Sequence, residues 1–381
     1  MKSASSAIKI LIGDMFASEM QTLVNTVNCV GVMGKGVALL FKKKYPLMFD
    51  DYTQRCAHGE VRLGEPYHYK DLTGDSIVNF PTKDHWRAAT RLEDIEAGLD
   101  HFLKHFRSWG ITSIAFPPLG CGNGGLDWAA AGPLIYSKLK DAGIPVELYA
   151  PYGTPPAQLS PGFLAADQQM EFESKGRRRG KLRPGWAALV EVLYELEQQP
   201  YANPVGRVIF QKICYILTKQ GVDTGFRFEK NSYGPFAGEV KEAINVLANN
   251  NWVMERQLGR MTALRVGPEY GRARSKLAEE IEPYRRKIDK TVDLFSRIKN
   301  TDQAEEVATV IFAVQVLKQG CNPENVSEAD LFDYILDWKK SWKKDAGKQG
   351  SLAEAIRNLE MLGWVRLKYS ASLPAPSSSA A

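Results

Sequence analysis

"LGCGNGGLDW" (119–128) places glycine at positions 120, 122, 124 and 125. So bare a run costs conformational entropy on folding, so something must need backbone without side chains there. A second run, "NTVNCVGVMGKGVA" (25–38), raises the same question earlier in the chain. Each follows a short apolar stretch with strand character, "TLVNTVN" (22–28) and "SIAFPPLG" (113–120). Each precedes a segment with helical spacing, "GVALLFKKKYP" (36–46) and "DWAAAGPLIYSKLKDAG" (127–143).

The same alternation extends outward from these two runs. "IKILIG" (8–13), "SIVNF" (76–80) and "VELYA" (146–150) read as strands. "MFDDYTQRCAHG" (48–59) and "RLEDIEAGLDHFLKHFRSWG" (91–110) read as helices. The second of these has Leu92, Ile95, Leu99, Phe102, Leu103 and Phe106 on one face and Gly110 as a stop signal. Strand–helix alternation predicts a layered α/β domain. In such domains ligands bind at the carboxyl ends of the strands. Glycine loops there turn backbone N–H groups toward an anion, and the next helix N-terminus adds positive partial charge. Two such loops facing each other suit a diphosphate. Neither loop is G-x-x-x-x-G-K-[ST], which argues against a P-loop nucleotide hydrolase. "GVMGKG" (31–36) superficially looks like a dinucleotide fingerprint, but the first strand leads into "GDMF", not a glycine turn.

The chain has 381 residues, a length that favours two or three domains. Its 44% hydrophobic and 24% charged content is ordinary for a soluble globular protein. No apolar run reaches the roughly 18 residues of a membrane span, and the apolar stretch near the N-terminus is too short for a signal peptide. The five cysteines (29, 56, 121, 214, 321) are odd in number and lack metal-ligand spacing. A reducing, cytoplasmic location without disulfides, metal or membrane is the expectation. The net charge of +5 permits a nucleic-acid partner without demanding one.

The expected organisation is an α/β domain over 1–155, a linker over 156–185, a mainly helical domain over 186–370 and a disordered tail over 371–381. The linker is proline-rich, then basic ("ESKGRRRGKLRPG", 173–185). Arg177, Arg178 and Arg179 read either as a solvated charge run or as a nucleic-acid contact. Seven helical patterns follow, from "WAALVEVLYELEQQ" (186–199) to "SLAEAIRNLEMLGW" (351–364). "FRFEKNSYGPF" (226–236) reads as a strand entering a Tyr-Gly-Pro turn and faintly resembles antitoxin domains with an F…YGP signature.

Taken together, a first strand ending in Gly13–Asp14, then "VNTVN" (24–28), "GVMGKGVA" (31–38) and "LGCGNGG" (119–125), resemble a macrodomain, the fold that binds ADP-ribose. "LLFKKKYP" (39–46) and "VNFPTKDHW" (78–86) resemble the branch that removes ADP-ribose with a site lysine. The domain order resembles the DarG antitoxins of DarT/DarG toxin–antitoxin pairs. The resemblance implies a macrodomain of three layers, a mixed central sheet with helices on both faces, followed by a mainly α-helical domain that binds the toxin. It implies an ADP-ribosyl glycohydrolase that clears ADP-ribose from thymine in single-stranded DNA. The partner it implies is a DarT-like, NAD-using DNA ADP-ribosyltransferase, and no resident cofactor is expected.

By position, the resemblance assigns Asp14 to the adenine amine, with backbone of Met15 or Phe16 beside it. Asn28 is assigned to the distal ribose, and Asn25 to the site as a ligand contact or a loop brace. Gly31, Gly34, Gly36 and Val37 line one side of the diphosphate. Cys121, Gly122, Asn123, Gly124 and Gly125 line the other. Lys83 is the catalytic residue. Cleavage at the anomeric carbon passes through an oxocarbenium-like state, and a desolvated lysine can act there as base or nucleophile. In the eukaryotic-type macrodomains that the resemblance brings closest, an aspartate in the second glycine loop partners the lysine. Here that loop reads "GCGNGG", and Asp127 lies later, as a helix N-cap or first-turn acid. His85 is a candidate for catalysis or a DNA phosphate, and Trp86 for stacking on a base or for packing.

Two further readings remain open: a macrodomain that only binds ADP-ribose within a toxin-sequestering protein, and a hydrolase of small ADP-ribose esters. Residues 181–381 hold 25 acids and 29 bases. Imitation of DNA by that half would therefore need a local acidic face, with "EVLYELE" (191–197) and "SEADLFDYILD" (327–337) as candidates.

Overall fold

The strand Thr22–Asn28 (β2) lies inside a six-stranded sheet, buried along nearly its whole length. The structure, a computed structural model, describes residues 8–71, 74–165, 182–259, 261–320 and 326–374. The expectations for Arg177, Arg178, Arg179, Cys321 and the tail beyond 374 lie outside the described residues. The other strands are β1 (Ile8–Leu11), β3 (Tyr67–Lys70), β4 (Ser76–Lys83), β5 (Ile114–Phe116) and β6 (Val146–Tyr149). Their order is β1-β6-β5-β2-β4-β3. Neighbours run parallel except β3 and β4, so five strands end at one edge.

Side chains alternate across this sheet with the period of two that a strand imposes. Leu23, Val27 and Ile77 turn to the face covered by α1 (Gly36–Lys44) and α2 (Pro46–Ala57), against Phe41, Met48 and Tyr52. Val24, Val78 and Phe80 turn to the other face, under α3 (Leu92–His105) and α4 (Trp128–Leu139). Each such buried side chain contributes about 1.5–3 kcal/mol. Gly98 sits inside α3, where glycine costs about 1 kcal/mol relative to alanine. A Cβ there would fall 2.4 Å from the Phe80 ring, and that close approach explains the residue. This three-layer mixed sheet is the macrodomain architecture expected from the sequence.

Three local expectations change. The 113–120 strand is only Ile114–Phe116, because the following residues enter the glycine loop. β4 continues past Phe80 to Lys83, so Lys83 ends the strand instead of following it. Pro81 is tolerated there because β3 ends opposite Asn79, and beyond that point β4 owes β3 no hydrogen bond. β3 itself, "YHYK", has no apolar signal and escapes a periodicity reading.

The chain divides into two compact units, Met1–Leu182 with Glu242–Glu255, and Arg183–Lys241 with Arg256–Ala381. The second is mainly helical, with Pro184–Gln198, Arg207–Lys219, Arg285–Ser296, Thr301–Gly320, Glu328–Trp338 and Ala346–Met361 as its longer helices. Of its Tyr-Gly-Pro run only Tyr233 lies in the turn, since Gly234 and Pro235 belong to a strand. Glu229–Asn231 (β7) and Gly234–Phe236 (β8) form an antiparallel hairpin with Ser232 and Tyr233 at the tip. Buried Lys212 donates to the carbonyls of Tyr233 and Pro235, and Lys339 to that of Ser232. These lysines hold the hairpin.

Most acids of the two acidic stretches are buried or paired. Glu191 is fully buried and accepts from Tyr270, Arg274 and Arg285. Burial alone would push its carboxyl up, but bonds from Arg274, Tyr270 and Arg285 hold it at about 2. Glu195 pairs with Arg274, and Glu197 accepts the Val266 N–H. In the second stretch Glu328 is buried, Asp330 completes a capping box with Ser327, and Asp337 pairs with Lys340 and Lys343. No described helix is long and apolar enough to cross a membrane.

Candidate functional site

The carboxyl ends of β2, β4 and β5 carry the two glycine loops and Lys83. The first loop is organised by Asn28. Its Nδ2 donates to the Val32 carbonyl (2.5 Å), and its Oδ1 accepts from the N–H groups of Val30 (3.0 Å) and Val32 (3.3 Å). The Tyr52 hydroxyl reaches across from α2 to the Asn28 carbonyl at 2.8 Å. Asn28, assigned to the distal ribose by the resemblance, thus has its side-chain polar atoms engaged in shaping residues 28–32. Gly31 (φ +76°) and Gly36 (φ +60°) occupy the left-handed region that side chains disfavour. α1 begins at Gly36, so its first-turn N–H groups face the loop without helical partners. Gly34 is exposed and Val37 half-buried.

The second loop, 117–127, folds back on itself. Cys121 N–H donates to Pro118, Gly125 N–H to Gly122 and Leu126 N–H to Gly120. A Cβ at Gly124 would lie 2.0 Å from the Gly120 carbonyl oxygen, so no larger residue fits. Among the described residues the N–H groups of Gly122, Asn123 and Gly124 make no backbone hydrogen bond. Three adjacent amides of this kind can donate to an anion. A Cβ on Gly36 would sit 3.0 Å from the Asn123 side-chain nitrogen, so the two glycine loops face each other closely.

Lys83 joins them. It is opposite Asn28 in the β2–β4 register, beside an irregularity between Val27 and Asn28. Its Nζ donates to the Asn123 carbonyl at 2.7 Å. The amine is thus anchored on a main-chain oxygen and not on a carboxylate of the loop. Asp127 takes the structural role: it N-caps α4 by accepting from Ala129 N–H at 3.0 Å.

Two of the assigned residues, Asn25 and Cys121, lie inside the domain. Asn25 is fully buried on the α1/α2 face, where its Nδ2 donates to Asn79 Oδ1 at 2.8 Å. Its Nδ2 thereby braces the two central strands, and its buried Oδ1 finds no hydrogen-bond partner among the described residues. Cys121 is buried with its sulfur near the Leu119 carbonyl and its N–H spent on Pro118. Burial, with Asp127 nearby, pushes its thiol up to about 12, so it stays neutral. At the far end of the edge, Asp14 is exposed and accepts from Phe16 N–H at 2.9 Å. That bond occupies the Phe16 amide. Met15 is buried, leaving only its backbone for a ligand.

Beyond Lys83 the chain turns through His85, Trp86 and Arg87. His85 Nδ1 accepts from Arg87 N–H at 3.3 Å. Burial, then Arg87, lower its pKa. The sequence reading missed Tyr52, whose i–4 spacing from Met48 marks only a core face. It also missed Asn79, which continues the Asn25 bond to the Tyr67 hydroxyl at 3.0 Å.

Residues 24–135 match the Macro domain family. The chain is 35% identical over 243 residues to the "DNA ADP-ribosyl glycohydrolase" of Mycobacterium tuberculosis, an alignment covering 61% of this chain and 64% of that protein. It thus spans somewhat less than two thirds of that relative's length. A "DNA ADP-ribosyl transferase-DNA ADP-ribosyl glycohydrolase fusion protein" of Thermosipho africanus is 39% identical over 177 residues, covering 41% of this chain and 46% of the fusion. Among solved structures, the macrodomain of Mycobacterium tuberculosis DarG is 44% identical, with a TM-score of 0.36, covering 38% of this chain and 99% of that one.

Proposed function

The N-terminal unit belongs to the macrodomain family, and on that premise we propose that this chain is an ADP-ribosyl glycohydrolase acting on single-stranded DNA whose thymine bases carry ADP-ribose. The observation that carries the reading is the Lys83 amine, held against the second glycine loop at the mouth between both loops. The similarity to proteins named DNA ADP-ribosyl glycohydrolases supports the same reading.

In this reading the amides of Gly122, Asn123 and Gly124 and the N-terminus of α1 bind the diphosphate. Asp14 binds the adenine amine. The distal ribose lies against the Asn28–Val32 segment, with its anomeric carbon toward Lys83. Water adds at that carbon, the bond to the base nitrogen breaks, and the base leaves with a proton. Lys83 serves the transferred proton or the ring-opened aldehyde, the two tasks an amine can perform there. Binding by the loops is shared between ground and transition state, whereas the lysine acts on the bond.

The test is release of ADP-ribose from an ADP-ribosylated oligonucleotide by the full chain and by Lys83→Ala. Loss of turnover with ADP-ribose affinity retained supports the assignment. Turnover like that of the parent overturns it, and affinity with no turnover in the parent favours a binding module.

The second unit in this proposal binds a DarT-like DNA ADP-ribosyltransferase. The Thermosipho relative, whose name joins transferase and glycohydrolase in one chain, supports such a pairing. A stable complex would bury on the order of 1,200–2,000 Å². Full-length Lys83→Ala should then inhibit the transferase stoichiometrically. Inhibition only by catalytically active protein refutes the binding role.

A further inference from the structure

All eight tryptophans of the chain are described, and Trp86 alone is exposed, at 46%. An indole left in water forgoes the burial that the others gain. Its neighbours cover it only in part. The Arg87 guanidinium lies 4.4 Å from the ring centroid, over its face, and the His85 ring is 5.3 Å away, tilted by 32°. The group is therefore an exposed aromatic plate carrying a cation.

The plate is held firmly beside the reaction site. Ala88 N–H donates to the His85 carbonyl at 2.8 Å, closing the turn. Upstream, Cys29 N–H of the first glycine loop donates to the Asp84 carbonyl at 3.0 Å. Downstream, Thr90 N–H donates to the Gly124 carbonyl of the second loop at 3.3 Å. Both ends of the turn are thus fastened to the loops that would hold ADP-ribose. Trp86 is three positions beyond Lys83, roughly 10 Å of backbone at full stretch.

We propose that His85, Trp86 and Arg87 form a stacking platform for the nucleobase next to the ADP-ribosylated nucleotide, with Arg87 also meeting the neighbouring phosphate. The proposal rests on the reading that ADP-ribosylated single-stranded DNA is the substrate. Non-sequence-specific recognition of a single strand combines base–aromatic stacking with cationic contacts to the backbone. An arginine lying on an indole supplies both within one turn. In a duplex the neighbouring base would be stacked on both faces, so the platform selects an unpaired strand. Through it the site would grip polymer over free nucleoside, a discrimination that the glycine loops, which touch only ADP-ribose, do not provide.

The experiment compares two substrates, an oligodeoxynucleotide of about ten residues bearing one ADP-ribosylated thymine, a length within single-strand site sizes, and ADP-ribosylated thymidine. The full chain, Trp86→Ala, Trp86→Phe and Arg87→Ala are assayed on both. Trp86→Ala should lower the ratio of kcat/KM on oligonucleotide to that on nucleoside about tenfold, mainly through KM. Trp86→Phe should recover most of the ratio, which also shows that the turn still folds. Arg87→Ala should reduce the slope of log KM against log salt by about one phosphate contact on the oligonucleotide alone. An unchanged ratio in Trp86→Ala, with the parent active on both substrates, overturns the platform and leaves the glycohydrolase reading standing. A parent chain inactive on both substrates overturns the two together.

Discussion

Lys83 donates a hydrogen bond from Nζ to the main-chain carbonyl of Asn123 across 2.7 Å, tying the end of β4 to the second glycine loop. Because the acceptor is backbone, the position of the amine does not depend on the identity of residue 123. Lys83→Met keeps much of the side chain's bulk and removes the amine. Its kcat on an ADP-ribosylated oligonucleotide should fall at least about 10²-fold, the scale of a positioned proton-transfer group. The ADP-ribose Kd should move less than about threefold. Asn123→Ala preserves the carbonyl and should retain far more turnover than Lys83→Met. Single-turnover kinetics with calorimetry on the same samples decide it, and equal losses in the two variants would contradict the backbone anchor.

The glycines of the second loop should not respond alike. At Gly122 a Cβ meets nothing within 4 Å, and only its φ of +57° opposes a side chain. Gly122→Ala should therefore cost about 1 kcal/mol, the strain of a left-handed alanine. At Gly124 a Cβ would overlap the Gly120 carbonyl oxygen at 2.0 Å. The loop must open to accept it, which displaces the amides of 122–124. ADP-ribose affinity should fall more than about tenfold further in Gly124→Ala than in Gly122→Ala, given rigid close packing. Calorimetric titration of both variants tests the order, and a reversed order would refute this account of the loop.

The strands and the two glycine loops were legible because their signals are local: β-branched runs set strands, and positive φ sets glycine. Asn25 was also legible in principle, since it shares the parity of Leu23 and Val27 and so had to face α1 and α2. The irregularity between Val27 and Asn28 breaks that parity, so no counting rule predicts that Asn28 shapes the loop. Lys83 and Asn123 are 40 residues apart, and Glu191 lies 83 residues from Arg274. A charge reading therefore saw an acidic stretch where the fold holds a neutralised, buried carboxylate. β3 was invisible because an edge strand with half-exposed residues need not be apolar.

Asn25→Asp isolates the strand brace from the binding site. It replaces the Nδ2 donor with an oxygen facing Asn79 Oδ1 at a pair distance of 2.8 Å, in a position with no solvent exposure. Two acceptors cannot share a hydrogen there unless the new carboxyl keeps its proton. Stability should drop by at least about 2 kcal/mol at neutral pH, as for a buried group left unpaired. Part should return near pH 5, as a carboxyl with a raised pKa binds its proton. Folded protein should bind ADP-ribose with little change. Urea unfolding at the two pH values measures the first two effects, and a collapse in affinity without loss of stability would return Asn25 to the ligand site.

The hairpin of the second unit predicts an alkaline stabilisation. Lys212 is buried with its ammonium on the carbonyls of Tyr233 and Pro235. Burial lowers its pKa to about 8, with Glu305 opposing and Lys339 adding to the shift. Below pH 8 both folded and unfolded chains carry the proton, and the folded state bears the desolvated charge. Between pH 8 and the ordinary value of 10.5 the folded chain has lost a proton that the unfolded chain keeps, so stability rises with pH. Cys214 and Tyr215, whose pKa values are raised by burial, act in the opposite sense once their unfolded forms ionise. The informative quantity is therefore the stability of the parent minus that of Lys212→Met, in which those two groups cancel. Lys339 lies beside Lys212 and remains in both chains, so its own response to the lost charge is the principal residual. The difference should grow in favour of the parent by about 1–3 kcal/mol from pH 8 to 10.5, given 1.36 kcal/mol per pKa unit. Urea unfolding of both full-length proteins across that range measures it, and a flat or falling difference would mean that the Lys212 amine is solvated in the folded chain.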